Sequence, residues 1–168
     1  LDYIANKYNV EIFRSPVGEA NVIKLMKEKE SLIGGEGNGG VIMKDFHLGR
    51  DSLVATTMIL NSLSKKTNPE LSKSIKNIPK YYMLKNKIPI PNNINLESLY
   101  EFLIKKYSDA KLDTQDGLKL IWDNKWVHIR SSNTEPIIRI IGEALTSNKI
   151  HFLIEEAINN INTFIIEH

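Results

Sequence analysis

The segment Arg130-Ser131-Ser132-Asn133-Thr134-Glu135-Pro136-Ile137-Ile138-Arg139 gathers hydroxyls, an amide and two guanidinium groups within one short stretch. Those groups suit a dianionic phosphate. Arginine supplies planar, bidentate donors, and the hydroxyls and free backbone N–H groups of a polar loop add single hydrogen bonds. The same composition also fits an ordinary polar turn whose arginines pair with nearby carboxylates such as Glu135.

A second stretch, Gly34-Gly35-Glu36-Gly37-Asn38-Gly39-Gly40, sets one carboxylate among five glycines. Glycine admits positive φ and lets a ligand approach the backbone closely. Glu36 could accept hydrogen bonds from vicinal sugar hydroxyls, with Asn38 supplying both donor and acceptor. The G-x-G-x-x-G spacing of a dinucleotide site is missing, and no Gly-Lys-Ser/Thr ends the run as in a P-loop. A flexible hairpin is the other reading. Arg14 and the turn Pro16-Val17-Gly18 follow an expected strand, where sites of α/β sheets collect, or they form a solvated turn. His128 alternates with Trp126 and Arg130, so the three share one strand face. Trp122 and Trp126 read as core residues of a small sheet.

The elements that must position these groups follow from periodicity and punctuation. Helices are expected from Leu1 to Tyr8, Glu19 to Lys29, Ser52 to Leu63 behind an Asp51 cap, and after Asn68-Pro69. Strands are expected at Val10–Phe13, Ser31–Ile33, Val41–Met43 and Tyr81–Leu84. The alternation predicts an α/β domain of three-layer type with a mixed, partly parallel sheet. The prolines and asparagines of Lys87–Asn93 predict a linker, with domains at 1–91 and 92–168. Beyond it come a helix over 96–107 capped by Asn95, a hairpin of Leu118–Trp122 and Trp126–Arg130, a strand over 137–142 and a helix over 148–166. That order predicts a small α+β domain with an antiparallel sheet and both helices on one face.

Composition bounds the rest. Lysines and arginines number 22 against 20 acids, for a formal charge of +2, with no basic block. Nucleic acid is therefore not expected as a partner, although Arg, Lys and two Trp could serve a strand. With no cysteine, disulfides, thiolate metal sites and a thiol nucleophile are excluded. No apolar run approaches a membrane span, and no signal peptide is visible. The chain starts without Met inside a helical pattern, which reads as a piece of something longer.

Arg130-Ser131-Ser132-Asn133-Thr134-Glu135-Pro136 resembles the R-x-S-[G/N]-T-E-P phosphate-binding loop of the α-D-phosphohexomutases. Gly35-Glu36-Gly37-Asn38-Gly39-Gly40 resembles that family's sugar-binding loop, commonly G-E-x-S-G-H, and Gly49-Arg50-Asp51 resembles the stretch after it. Asn38 and Gly40 stand where many members have Ser and His, which leaves the preferred sugar open. The resemblance covers essentially the whole chain and implies the third and fourth domains of a four-domain enzyme. It implies a phosphoserine mutase that interconverts hexose 1- and 6-phosphates through a bisphosphate. Glu36, Gly37 and Asn38 would then bind sugar, and Arg130, Ser132, Asn133, Thr134 and Arg139 would bind phosphate. The family's serine and its magnesium-binding Asp-x-Asp-x-Asp loop belong to domains absent here, so no catalytic or metal residue is expected in this chain. The expected partners are a hexose phosphate and the N-terminal domains of the same enzyme, in the cytoplasm, without nucleic acid or membrane. Another class, a stand-alone non-catalytic sugar-phosphate binding module, fits the same two loops.

Overall fold

Most of the apolar surface that this sequence can bury lies in its second half. The computed structural model describes residues 1–91, 93–132 and 134–168. The chain divides into two units, Leu1–Ile78 and Pro79–His168.

The first unit contains α1 (Asp2–Tyr8), α2 (Glu19–Glu28), β1 (Ile33–Gly35), β2 (Val41–Met43), α3 (Ser52–Ser64) and α4 (Leu71–Ile75). β1 and β2 pair antiparallel, with Gly34 opposite Ile42. α2 packs on β1 and α3 on β2. Gly34 permits the first contact, since a Cβ there would overlap Met26 Sδ and stand 2.9 Å from Val22 Cγ1. Asp51 caps α3 by accepting from the backbone N–H groups of Leu53 and Val54. α3 is apolar nearly all round, and Leu53 and Leu60 are exposed on it.

Two expectations for this unit are corrected. Val10–Phe13 forms no strand and runs outside any ladder. The mixed sheet is not found among the described residues, where every strand pair is antiparallel. The short glycine loop joining β1 to β2 accounts for their pairing, because a parallel pair needs a crossover of a dozen residues or more.

The second unit contains β3 (Tyr82–Pro89), α5 (Leu96–Lys106), β4 (Lys111–Asp113), β5 (Leu118–Trp122), β6 (Lys125–Ser131), β7 (Ile137–Ala144) and α6 (Ser147–Glu167). Its sheet has the order β3-β7-β6-β5-β4, antiparallel throughout. One face carries Leu118, Leu120, Val127, Ile129, Ile138 and Ile140, all fully buried. α5 and α6 cover that face with Leu99, Leu103, Leu153 and Ile161. Gly142 lets α6 settle onto β7: a Cβ there would stand 2.9 Å from Ile150 Cδ1 and 3.0 Å from the Trp126 carbonyl oxygen. The α/β class followed by a one-sided antiparallel α+β unit is as expected.

The boundary differs. The chain divides after Ile78, not near residue 91, because the supposed linker is the edge strand β3. Lys87 pairs with Arg139 and Pro89 with Ile137, and the Ile90 N–H still donates to the Pro136 carbonyl at 3.0 Å. Proline marks a linker by its missing N–H, yet an edge strand tolerates it.

Candidate functional site

The two candidate loops lie in different units, and each is built by its own surroundings. In the first unit the glycine-rich run is the β1–β2 connection. The Glu36 N–H donates to the Gly40 carbonyl, and the Gly39 N–H donates to the Glu36 carbonyl, both at 3.1 Å. Gly39 takes φ +94°, a conformation few other residues adopt. Asn38 works in both directions: its Oδ1 accepts from the Gly40 N–H at 2.9 Å, and its Nδ2 donates to Glu36 Oε2 at 3.4 Å. Gly37 sits at the exposed tip with open space around it.

Glu36 therefore does not hang free among glycines. Arg50 reaches it, with Nη1 3.5 Å from Glu36 Oε2. Arg50 also binds Glu19, at the start of α2, through Nε at 2.9 Å and through its backbone N–H at 3.0 Å. That backbone donor, followed by the guanidinium, holds the Glu19 carboxyl below the usual carboxylate range. The N–H groups of Val54 and Leu53 lower Asp51 in the same way, the first more strongly. A cleft of about 660 Å³ is lined by Glu19, Asn38, Gly39, Gly40, Arg50 and Asp51. Glu36 and Asn38 are thus brought together as expected. Glu19 and Arg50 were not assigned to the site from sequence, and the Gly49-Arg50-Asp51 triplet was the available signal. Arg14 is occupied elsewhere, paired with Asp2 at 2.6 Å.

In the second unit the polar loop joins β6 to β7. Arg130 and Arg139 are direct cross-strand partners, as are Ser131 and Ile138. The loop is closed by the Ser132 N–H donating to the Ile137 carbonyl at 2.9 Å. Ser132 Oγ then collects Arg139 Nη2, the Thr134 N–H and the Thr134 hydroxyl, each at 3.4 Å. Ser132, Thr134 and Arg139 are therefore neighbours. Asn133, the remaining expected phosphate ligand, lies outside the described residues.

The arginines are also near carboxylates: Arg139 Nη2 is 3.4 Å from Glu135 Oε2, and Arg130 Nη1 is 3.7 Å from Asp116 Oδ2. Asp116 is placed by Gly117, whose φ is +75° and whose Cβ would stand 2.6 Å from the Ile129 carbonyl oxygen. The turn thereby lies flat on β6, and the Asp116 carbonyl meets the His128 ring. Arg130 Nε is buried with no hydrogen-bond partner among the described residues. Burial pushes the Tyr100 phenol up, against a hydrogen bond with the Ser131 backbone that lowers it. Tyr100 and Asp116 were missed from sequence; both reach the loop from outside it.

Trp126 is not a core residue. It shares the open face with His128 and Arg130, donates to Glu143 Oε1 at 3.3 Å and lies under Lys119 Nζ at 4.5 Å from the ring centre. Trp122 packs edge-on against Tyr107 and donates to Asp109. Among the described residues no three His, Asp or Glu side chains stand close enough together to hold a metal ion. No helix among them is long and apolar enough to cross a membrane.

The family model of phosphoglucomutase/phosphomannomutase, alpha/beta/alpha domain III, matches residues 1–82, nearly the span of the first unit. A phosphoglucomutase/phosphomannomutase of Thermococcus kodakarensis is 39% identical over 157 residues, covering 92% of this chain and 34% of its own length. The chain belongs to the phosphohexomutase family. Another similar member is a phosphoglucosamine/phosphogalactosamine mutase of Sulfurisphaera tokodaii, 31% identical over 90% of this chain and 33% of its own. The fold is shared with a crystal structure of a phosphoglucomutase/phosphomannomutase family protein from Burkholderia thailandensis. That match has a TM-score of 0.72 at 22% identity and covers 93% of this chain and 33% of the other. The chain thus spans about a third of the length of the phosphohexomutases it matches.

Proposed function

We propose that this chain is the substrate-holding C-terminal part of a phosphohexomutase that interconverts hexose 1- and 6-phosphates through a phosphoserine and a bisphosphate. The observation that carries the reading is the β6–β7 site. Two arginines stand opposite each other, the Ser132 hydroxyl lies beside Arg139 with that of Thr134 next to it, and one buried guanidinium N–H finds no partner among the described residues. A dianion relieves the repulsion and takes up the open donors. In the first unit, the Glu36–Asn38 pair offers the acceptor and donor that sugar hydroxyls need.

The division of labour follows from the chemistry. A bisphosphate that must turn over without escaping needs an anchor for the phosphate remote from the reacting one. Holding it there supplies much of the catalytic advantage in phosphoryl transfer. This chain's residues bind and orient; the nucleophilic serine and the magnesium site belong to the N-terminal domains of the same cytoplasmic enzyme. The isolated chain should turn nothing over.

The test is a tryptophan-fluorescence titration with glucose 1-phosphate, mannose 1-phosphate and glucosamine 6-phosphate. Trp126 shares a strand face with Arg130, so bound phosphate should change its emission. Arg130→Ala removes a charge-assisted donor and should cost about 1.5–3 kcal/mol. A saturable signal untouched by Arg130→Ala would exclude the anchor, and turnover by these 168 residues alone would exclude the division of labour.

A further inference from the structure

The glycine at position 40 has no conformational reason to be there. Its φ lies outside the left-handed region that marks Gly18, Gly39 and Gly117. Its reason is steric. A Cβ at Gly40 would overlap Arg50 Cδ and stand 2.9 Å from Arg50 Cγ. The arginine stem passes directly over the loop backbone at this one residue. Beyond the crossing the side chain divides, Nε to Glu19 Oε2 at 2.9 Å and Nη1 to Glu36 Oε2 at 3.5 Å. Lysine could not do this, because its single ammonium lacks the rigid fork.

We propose that Arg50 is the positioning residue of the sugar loop: it threads over Gly40 and ties Glu36 to Glu19 on α2, so that helix and loop move as one. Three features converge on this. Glu19 is held at both carboxylate oxygens, one by the backbone and one by the side chain of Arg50. Glu36 is held at Oε2, by Arg50 and Asn38, and Oε1 has no contact among the described residues, so it can turn toward a ligand. Gly40 is held in turn, its N–H by Asn38 and its carbonyl by the Glu36 N–H. Arg50, Gly40, Asn38 and Glu36 thus close a ring of contacts around the rim of the cleft. The arrangement fixes which direction the acceptor faces, and so which sugar hydroxyls it meets. This role rests on the sugar-binding reading of Glu36 given above.

The experiment is a double-mutant cycle on Gly40→Ala and Arg50→Ala, read without ligand from the backbone amide signals of Glu36, Asn38 and Gly39 in the 168-residue chain. Each single variant should move the same amides. Gly40→Ala should add little once Arg50 is truncated, because the atoms it overlaps are gone and Asn38 Oδ1, at 3.2 Å, becomes its nearest neighbour. Arg50→Lys should keep the fold yet leave the loop displaced. Equal effects of Gly40→Ala in both backgrounds would overturn the clamp. A ligand arm separates positioning from general damage. Arg50→Ala should weaken glucose 1-phosphate about tenfold while inorganic phosphate binding is unchanged. Equal losses for the two ligands would overturn the positioning role. If the parent chain binds neither ligand, the proposed function falls, and the amide cycle still decides the clamp.

Discussion

Arg130 and Arg139 face each other directly across β6 and β7. Like charges at directly opposed strand positions destabilise a sheet. Asp116 and Glu135 offset part of that cost from outside the pair. An anion seated between the two guanidiniums would offset more, so ligand binding should appear as stability. Inorganic phosphate at about a hundred times its dissociation constant should stabilise the second unit by about 2.7 kcal/mol. Thermal unfolding followed with and without phosphate measures this. The shift should vanish in Arg139→Ala, while without phosphate that variant should unfold close to the parent. An unchanged phosphate shift in Arg139→Ala would place the anion elsewhere.

Alkaline pH should unfold the second unit through Tyr107. Burial pushes this phenol from 10.0 up to about 12, although Asn160 Nδ2, donating at 2.9 Å, pulls the other way. The folded state therefore holds the proton more tightly than the unfolded chain does. The stability tied to the neutral phenol is complete below pH 10.0 and is lost as pH rises toward about 12. Urea midpoints across that window should fall more steeply in the parent than in Tyr107→Phe. Parallel slopes would contradict it.

Acid should loosen the first unit through Glu19. The Arg50 backbone N–H, then its guanidinium, lower this carboxyl below its ordinary 4.5. The contribution is therefore present above 4.5 and is lost as pH falls through the lowered value. The Arg50 amide signal reports it directly, since that N–H donates to Glu19 Oε1. In the parent it should shift on acidification along a curve that is absent in Glu19→Gln. A shift persisting in the glutamine variant would assign the titration to another group, Asp51 first.

Gly142→Ala tests the close approach of α6. The added methyl would meet Ile150 Cδ1, the Trp126 carbonyl and Ile154 Cδ1 at 2.9, 3.0 and 3.1 Å. Overpacking of this kind costs about 1–3 kcal/mol. Ile150→Val in the same chain should recover part of the loss, because the nearest clashing atom is then removed. Chemical denaturation of the single and double variants gives the comparison. Additive losses would show that the clash is with the Trp126 carbonyl and Ile154 rather than with Ile150.

What the sequence disclosed was local. The caps Asp51 and Asn95, the β5–β6 hairpin and both ligand-like loops lie within a few residues of their own causes. What it withheld was contact at a distance. Glu19 and Arg50 meet across 31 positions, and neither type nor spacing announces it. Asp116 reaches Arg130 only because a glycine turn lies flat on the neighbouring strand. The second half of β3, beyond the expected Tyr81–Leu84, was hidden by Pro89 and by Pro91 just after the strand, which read as a break when partners are unknown. The cap expected at Asn68 failed similarly: α4 begins at Leu71, behind Glu70. Trp126 was placed in the core by its size, whereas the alternation Trp126-His128-Arg130 already set it on the face of the arginines.

The order β3-β7-β6-β5-β4 also governs how the second unit comes together in time. β4 through β7 follow one another through short turns, so their hairpins can close locally and early. β3 is made first, yet its partner β7 begins at Ile137, almost fifty residues later, with α5 and the whole meander between them. Closing so long a loop is entropically slow, and contacts of that separation set the pace of folding. Tyr82–Pro89 must wait as an unpaired strand until the site-bearing β7 exists. The arginine pair across β6 and β7 can therefore form before the sheet is complete, from contacts that are local in the chain.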